Sequence, residues 1–337
     1  MCYVIYALTV WPTKACNIKC AYCFFAPSEK WHGAGVMSVD TADQVVDFIN
    51  SGQVDAVDFF GAEPMMNWKI VKRILARSRL GTRPYPYGIT TNGTLLDPDV
   101  LEYLELHRTR ISLSFDGTKI TQDHWRDGSY DAVLKNIDLL VKYPSIQVLM
   151  TMTDPRTLYE DVEHIKALGF GGVFINLLDA FGPVRYDPDH VEIFKEQYLK
   201  VIGLATPGFH VGDYERWSAL LKGPRKLGCG FTGRGLGCGP DGKLYPCHQG
   251  PSLPEEFCIG DVWNGVDAQK EREVRSAANP PSCRACPYQL GKCLVSMYNK
   301  HGKFGVDPPE WYVDYELAKI GVIERLNGLE ARKPACM

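Results

Sequence analysis

The sequence predicts an α/β protein in which six strand–helix units wind into a partial barrel and a loop-rich, cysteine-bearing appendage follows. Three observations predict it. Strand-like and helix-like segments alternate six times between residues 3 and 205, the pattern of parallel strands joined by right-handed helical crossovers. A closed barrel of this kind needs eight such units, so six leave it open. Beyond Lys222 the chain becomes rich in glycine and cysteine, and such a stretch needs metal or another staple to supplement its small apolar core.

The first unit sets "YVIYALTV" before a cysteine loop and then "SVDTADQVVDFIN", where Ser38 or Asp40 can cap a helix with Val45, Val46 and Ile49 on its apolar face. In the next units "VDAVDFF" precedes "NWKIVKRILARS", "YGITTNG" precedes "DPDVLEYLELH", and "TRISLSFDG" precedes "YDAVLKNIDLLVKY". The last two pair "IQVLMTMT" with "LYEDVEHIKALG" and "GGVFINLLD" with "DHVEIFKEQYLKVIGLA". Every unusual loop ("TKACNIKC", "FFGAEP", "TTNG", "SFDG", "LLDAFG") follows a strand, which is where such folds gather their chemistry. In the appendage "PDGK" marks a turn between two short strands. "PEWYVDYELAKIGVIERLNG" closes the chain as an amphipathic helix. The expected division is 1–222 for the barrel, 223–309 for the appendage and 310–337 for a terminal helix and tail.

Composition excludes several function classes. The 337 residues suit one large domain with an appendage. With 45% hydrophobic and 23% charged residues the chain reads as soluble and globular. A net charge of −3 gives no support to nucleic-acid binding, and no apolar run has membrane-spanning length. The N-terminus lacks the basic region of a signal peptide, which points to a cytoplasmic protein.

Twelve cysteines are many for such a chain. In a reducing compartment clustered thiols read as metal ligands or catalytic groups before disulfides. Cys16, Cys20 and Cys23 share one short loop, and no further cysteine follows until Cys229. The odd number argues against a disulfide framework. A structural zinc site needs four ligands, and the loop carries no histidine, so a fourth would come from far away. An iron–sulfur cluster held by four thiolates is the usual case; three would leave one iron open to a ligand.

Cys16-x3-Cys20-x2-Cys23, with Tyr22 before the last cysteine at the end of a first strand, resembles the signature of radical S-adenosylmethionine enzymes. The resemblance implies a TIM-like partial barrel and a 4Fe–4S cluster whose open iron chelates S-adenosylmethionine. It also implies cleavage of that cofactor to a 5′-deoxyadenosyl radical, which takes hydrogen from a substrate. "FFGAEP" resembles the family's Gly-Gly-Glu-Pro loop, placing Gly61, Ala62, Glu63 and Pro64 at the methionine amino group, with Ala62 where the family has glycine. "TTNG" (Thr91, Asn92, Gly93) and "SFDG" (Ser114, Asp116) stand where the family contacts ribose and methionine, although Asn-Gly and Asp-Gly also favour plain turns. Leu178 stands at the family's adenine position and reads equally as core.

The appendage is similar to the SPASM extension, or its shorter twitch form, which holds auxiliary iron–sulfur clusters. The matching residues are Cys229, Cys247, Cys283, Cys286 and Cys293. A twitch reading uses the first four for one cluster and leaves Cys293 over. A reading with two clusters recruits Cys293, with Cys336 as its partner. Met297 stands where a full SPASM pattern continues with cysteine. Cys238 and Cys258 fall on expected strand positions and read as structural thiols; Cys2 reads as incidental.

Relatives with this appendage mostly act on peptides or proteins, and fewer act on small molecules. The resemblance therefore implies a ribosomally made peptide as substrate, with a small-molecule dehydrogenase or mutase as the alternative. It also implies reduced flavodoxin or ferredoxin as electron donor. The chain opens on its first strand, so a peptide substrate calls for a separate leader-binding protein. His248 follows Cys247 where sulfatase-maturing enzymes have aspartate, which argues against that activity. A histidine suits proton transfer near neutrality, and one satisfied by its neighbours would look the same. Trp31 and His32 lie in a long loop after the triad that could face substrate. A zinc-stabilised binding protein is the reading from another class, and it leaves Glu63 without a purpose.

Overall fold

The computed structural model describes residues 6–23, 25, 35–81, 83–222, 231, 233–278 and 293–329. The six expected strands are β1 (Tyr6–Val10), β2 (Val54–Phe59), β3 (Tyr87–Thr91), β4 (Thr109–Ser114), β5 (Ile146–Thr151) and β6 (Gly172–Asn176). They pair in parallel and in sequence order. The crossovers between them carry α1 (Val39–Phe48), α2 (Trp68–Arg77) and α3 (Pro98–Leu106). Then come α4 (Lys119–Trp125), α5 (Tyr130–Leu134), α6 (Ile137–Leu140) and α7 (Leu158–Ala167), and α8 (Val191–Ile202) follows β6. Of the two cap candidates for α1, Ser38 takes the position and accepts a hydrogen bond from the Thr41 amide. Among the described residues the sheet does not close on itself: the architecture is a partial barrel.

Three details depart from expectation. The helix expected over 130–143 breaks at Asn136, whose backbone leaves the helical region (φ −116°, ψ 30°) and whose amide donates to the Leu96 carbonyl. A further short helix, α4, fills what reads as loop between Gly117 and Asp127. A seventh pair follows the sixth: β7 (His210–Val211) adds to β6, and α9 (Gly212–Lys222) follows it. Two residues are too few to leave a periodic signal.

The strands beyond the barrel extend the same sheet. β8 (Gly235–Cys238) runs parallel to β1 on its free edge, with Leu8 opposite Leu236. β9 (Lys243–Tyr245), β10 (Gly260–Asp261) and β11 (Gly265–Val266) then continue it in antiparallel fashion. The "PDGK" turn joins β8 to β9, with Gly242 at φ +79°. Arg275 of α10 (Ala268–Ala278) donates to the Pro246 and Gly235 carbonyls and so ties that helix to the hairpin. The β1–β8 pairing matters for the site, because it fixes residues 238–248 beside the C-terminal end of β1.

Alternating residues of the strands fill the barrel. Leu8, Val57, Ile111, Leu113 and Val148 are wholly buried, each contributing roughly 1.5–3 kcal/mol relative to exposure. α12 (Glu310–Leu326) packs against α8 and α9. It is buried around more of its circumference than an amphipathic helix, taking in Glu316, Lys319 and Glu324. Its Tyr315 stacks on Tyr186 at 4.4 Å. Tyr186 in turn accepts from the Leu178 amide and donates to the Met152 carbonyl. The terminal helix thereby braces the ends of β5 and β6. No helix among the described residues is long and apolar enough to cross a membrane.

Candidate functional site

The loop bearing Cys16, Cys20 and Cys23 leaves the C-terminal end of β1 and is held by backbone contacts on several sides. The Ala15 carbonyl accepts from the Glu63 amide at 3.0 Å, and the Lys14 amide donates to Gly35. On the far side the Ala21 amide donates to the Trp125 carbonyl at 2.9 Å, and the Lys19 amide to the Asp127 carboxylate at 3.0 Å. Cys16 is exposed and Cys20 and Cys23 are partly exposed, as thiols must be to receive iron. The Asn92 amide approaches Cys16 Sγ at 3.9 Å and bonds Asn17 at 2.9 Å.

Tyr22, half-buried within this loop, and the buried Asp116 beneath it belong to one clamp. The Tyr22 hydroxyl donates to Asp116 Oδ2 at 2.6 Å. Arg126 grips the same carboxylate with two donors, at 2.8 and 3.1 Å, and the Thr151 amide donates to it at 2.8 Å. Asp116 therefore spends its acceptors on holding the loop. Burial alone would lower the Arg126 pKa, but Asp116 beside it raises the pKa above its ordinary value. Arg126 escapes a sequence reading because it ends α4, a two-turn polar helix with no apolar stripe; the threonine that caps it is the one local signal.

The loop after β2 brings Glu63 to the other side. Gly61 has φ +118°, and a Cβ there would meet the Trp11 ring at 2.8 Å. Only glycine serves. Gly61→Ala is expected to cost about 1–3 kcal/mol of strain and to displace Trp11, seen as a lower unfolding temperature with altered tryptophan fluorescence. Ala62 is half-buried and adopts its place without strain, and Pro64 begins a one-turn helix. Glu63 is 1% exposed. Its carboxylate accepts from the Met65 amide, the Thr91 hydroxyl and the Asn92 amide at 3.1, 2.8 and 2.7 Å. No cation lies within ion-pair distance of it among the described residues, and burial raises its pKa to about 7 despite these donors. A buried carboxylate so placed suits the amino group of a ligand.

The remaining predicted residues scatter in role. Ser114 ends β4, half-buried, at the barrel mouth. Leu178 is 2% exposed and belongs to the core as well as to the rim. His248 is surface-accessible, yet the surrounding protein is dense enough to lower its pKa to about 4 by burial. His248 meets Phe60 edge-on at 5.3 Å, and its carbonyl accepts from the Trp11 indole at 2.7 Å. Trp11, Phe60 and Phe25 thus form an aromatic bridge from the cysteine loop to the Cys247–His248 turn.

Of the appendage cysteines, Cys247 is buried behind Gly237, where a Cβ would strike the Cys247 carbonyl at 2.2 Å. Cys293 caps α11 (Leu294–His301) and touches the Gln249 side chain, two residues beyond Cys247. Cys238 is buried on β8 and bonds the Gly239 carbonyl. Cys258 follows a single helical turn, where a strand was expected, because residues 255–257 close a turn before β10 begins. Cys2, Trp31, His32, Cys229, Cys283, Cys286 and Cys336 lie outside the described residues.

Residues 11–169 match the family model described as Radical SAM superfamily. An uncharacterized protein of Archaeoglobus fulgidus is 27% identical, over 93% of this chain and 81% of its own. The antilisterial bacteriocin subtilosin biosynthesis protein AlbA of Bacillus subtilis is 23% identical over 75% of this chain and 56% of its own. The AdoMet-dependent heme synthase of Methanosarcina barkeri is 28% identical over 86% and 87%. Among solved structures, anSMEcpe with bound AdoMet superposes with a TM-score of 0.73 at 16% identity, covering 96% of this chain and 99% of that one. Streptococcus suis SuiB bound to precursor peptide SuiA gives 0.65 at 15%, covering 90% and 75%.

Proposed function

Residues 11–169 of this chain belong to the radical SAM superfamily, and from that premise we propose a cytoplasmic enzyme that cleaves S-adenosylmethionine reductively and abstracts hydrogen from a ribosomally made peptide. The observation that carries the cofactor assignment is the pairing of two features at one barrel mouth. Three thiols on one loop stand beside a buried carboxylate with no cation at ion-pair distance among the described residues. When bound, the cluster and S-adenosylmethionine supply a 5′-deoxyadenosyl radical. Cys16, Cys20 and Cys23 would hold the iron, and Glu63 would accept from the methionine amino group. Thr91 and Asn92 orient that carboxylate, while Asn92 also steadies Cys16. Ser114 and Leu178 would line the rest of the cofactor. The protein's part is to orient and to exclude water.

Cys247 and Cys293, with Cys229, Cys283 and Cys286, would hold auxiliary iron–sulfur. His248 would take a proton from the substrate: the side chain is exposed, and its lowered pKa leaves the ring neutral near pH 7 and so able to accept one. AlbA and SuiB, by their names and partners, support a peptide. Reduced flavodoxin or ferredoxin would deliver the electron. A small-molecule substrate is the second reading, favoured by the heme synthase relative over most of both chains.

The test is anaerobic incubation of reconstituted protein with S-adenosylmethionine, dithionite and short peptides encoded beside this protein. The expected result is 5′-deoxyadenosine together with a mass change in one peptide that is absent without S-adenosylmethionine. Deoxyadenosine release that a metabolite extract stimulates, with every peptide left unchanged, would move the assignment to a small molecule. No deoxyadenosine at all would end the radical reading.

A further inference from the structure

The clamp beneath the cysteine loop has an electrostatic asymmetry. Arg126 and Asp116 are 6% and 0% exposed, so solvent screens neither charge effectively. They are not equally placed toward the thiols. Arg126 Nη1 stands 4.0 Å from Cys20 Sγ. Asp116 is turned to the guanidinium's other nitrogens, to the Tyr22 hydroxyl and to the Thr151 amide. The guanidinium also lies over the Tyr22 ring, its carbon 5.2 Å from the centroid. The cation therefore sits on the thiol side of the pair and the anion behind it.

Resting on the cluster assignment above, we propose that Arg126 is a positioning residue that raises the reduction potential of the cluster held by Cys16, Cys20 and Cys23. Reduction adds a negative charge to a group already carrying thiolates. A fixed cation near a ligating sulfur favours the reduced form, as hydrogen bonds to the sulfurs do, whereas burial of the anionic cluster works against it. Asp116 attenuates the effect from behind. The pair thus lets the loop be anchored by a buried ion pair while the field at the sulfurs stays positive.

Opposite signs make this testable. The potential of the cluster would be measured by EPR-monitored redox titration of the anaerobically reconstituted full chain, without S-adenosylmethionine. Iron content and circular dichroism would be checked for each variant. Arg126→Gln is expected to lower the potential, and Asp116→Asn to raise it, since the guanidinium would then face a neutral acceptor. Arg126→Lys, which keeps the charge, should fall nearer to wild type than Arg126→Gln does. A simple loosening of the loop would move the Arg126→Gln and Asp116→Asn variants the same way, and that outcome overturns the proposal. So does an unchanged potential in Arg126→Gln accompanied only by weaker S-adenosylmethionine binding. Should the wild type bind no cluster at this loop, the cluster assignment itself fails, which is a separate result. If Asp116→Asn does not fold, Arg126→Gln against Arg126→Lys still decides the sign.

Discussion

Replacing Cys16, Cys20 and Cys23 together by alanine is expected to remove about four irons per chain after anaerobic reconstitution and to abolish deoxyadenosine formation, with about four or eight irons remaining. All three thiols lie on one loop after β1, so no other element can compensate. The loop's own shape does not depend on them. Ala15 is held by Glu63, Lys19 by Asp127, Ala21 by Trp125, and Tyr22 by Asp116. The variant should therefore fold, with circular dichroism like that of wild type. Iron and acid-labile sulfide analysis checks it. Equal iron in wild type and variant would place all the metal in the appendage, and zinc without sulfide in both would return the protein to a zinc-stabilised class.

How much of this was legible in the sequence differs by element. The six barrel strands were, because β-branched and aromatic residues recur in them at a period that the flanking turns frame; Val54–Phe59 and Ile146–Thr151 fall within the expected segments. The cysteine loop and the Glu63 loop were legible by their spacing. What escaped was non-local. α4 has a polar sequence, and its value lies in Trp125, Arg126 and Asp127 reaching a loop about a hundred residues away. Asp116 illustrates the same limit from the other side. It stands where a ligand contact was expected, yet its carboxylate is already engaged by three residues from three segments. The Trp11 indole reaching the His248 carbonyl, at a separation of 237 positions, has no local signature either.

Affinity for S-adenosylmethionine is expected to rise as pH increases through about 7 and then level off, and Glu63→Gln should abolish most of that rise. The Glu63 pKa is raised to about 7 by burial, against the pull of the Asn92, Thr91 and Met65 donors. Its folded value thus exceeds its unfolded one. Ionisation costs the ligand-free protein stability, which is fully present at acid pH and is lost as pH rises through 7. A ligand whose amino group donates to this carboxylate reverses that balance, since it favours the ionised form. Below 7 the protein must release a proton before binding, so affinity should fall up to about tenfold per pH unit. Glutamine removes the charge and sets an NH2 against a donor that Glu63 now accepts, so affinity above pH 7 should drop roughly tenfold to a hundredfold. Anaerobic equilibrium dialysis of wild type and Glu63→Gln between pH 6 and 8.5 measures both effects. Matching pH profiles in the two proteins would mean that the carboxylate serves only to fix the loop. A profile in the wild type alone would identify Glu63 as the group that receives the cofactor.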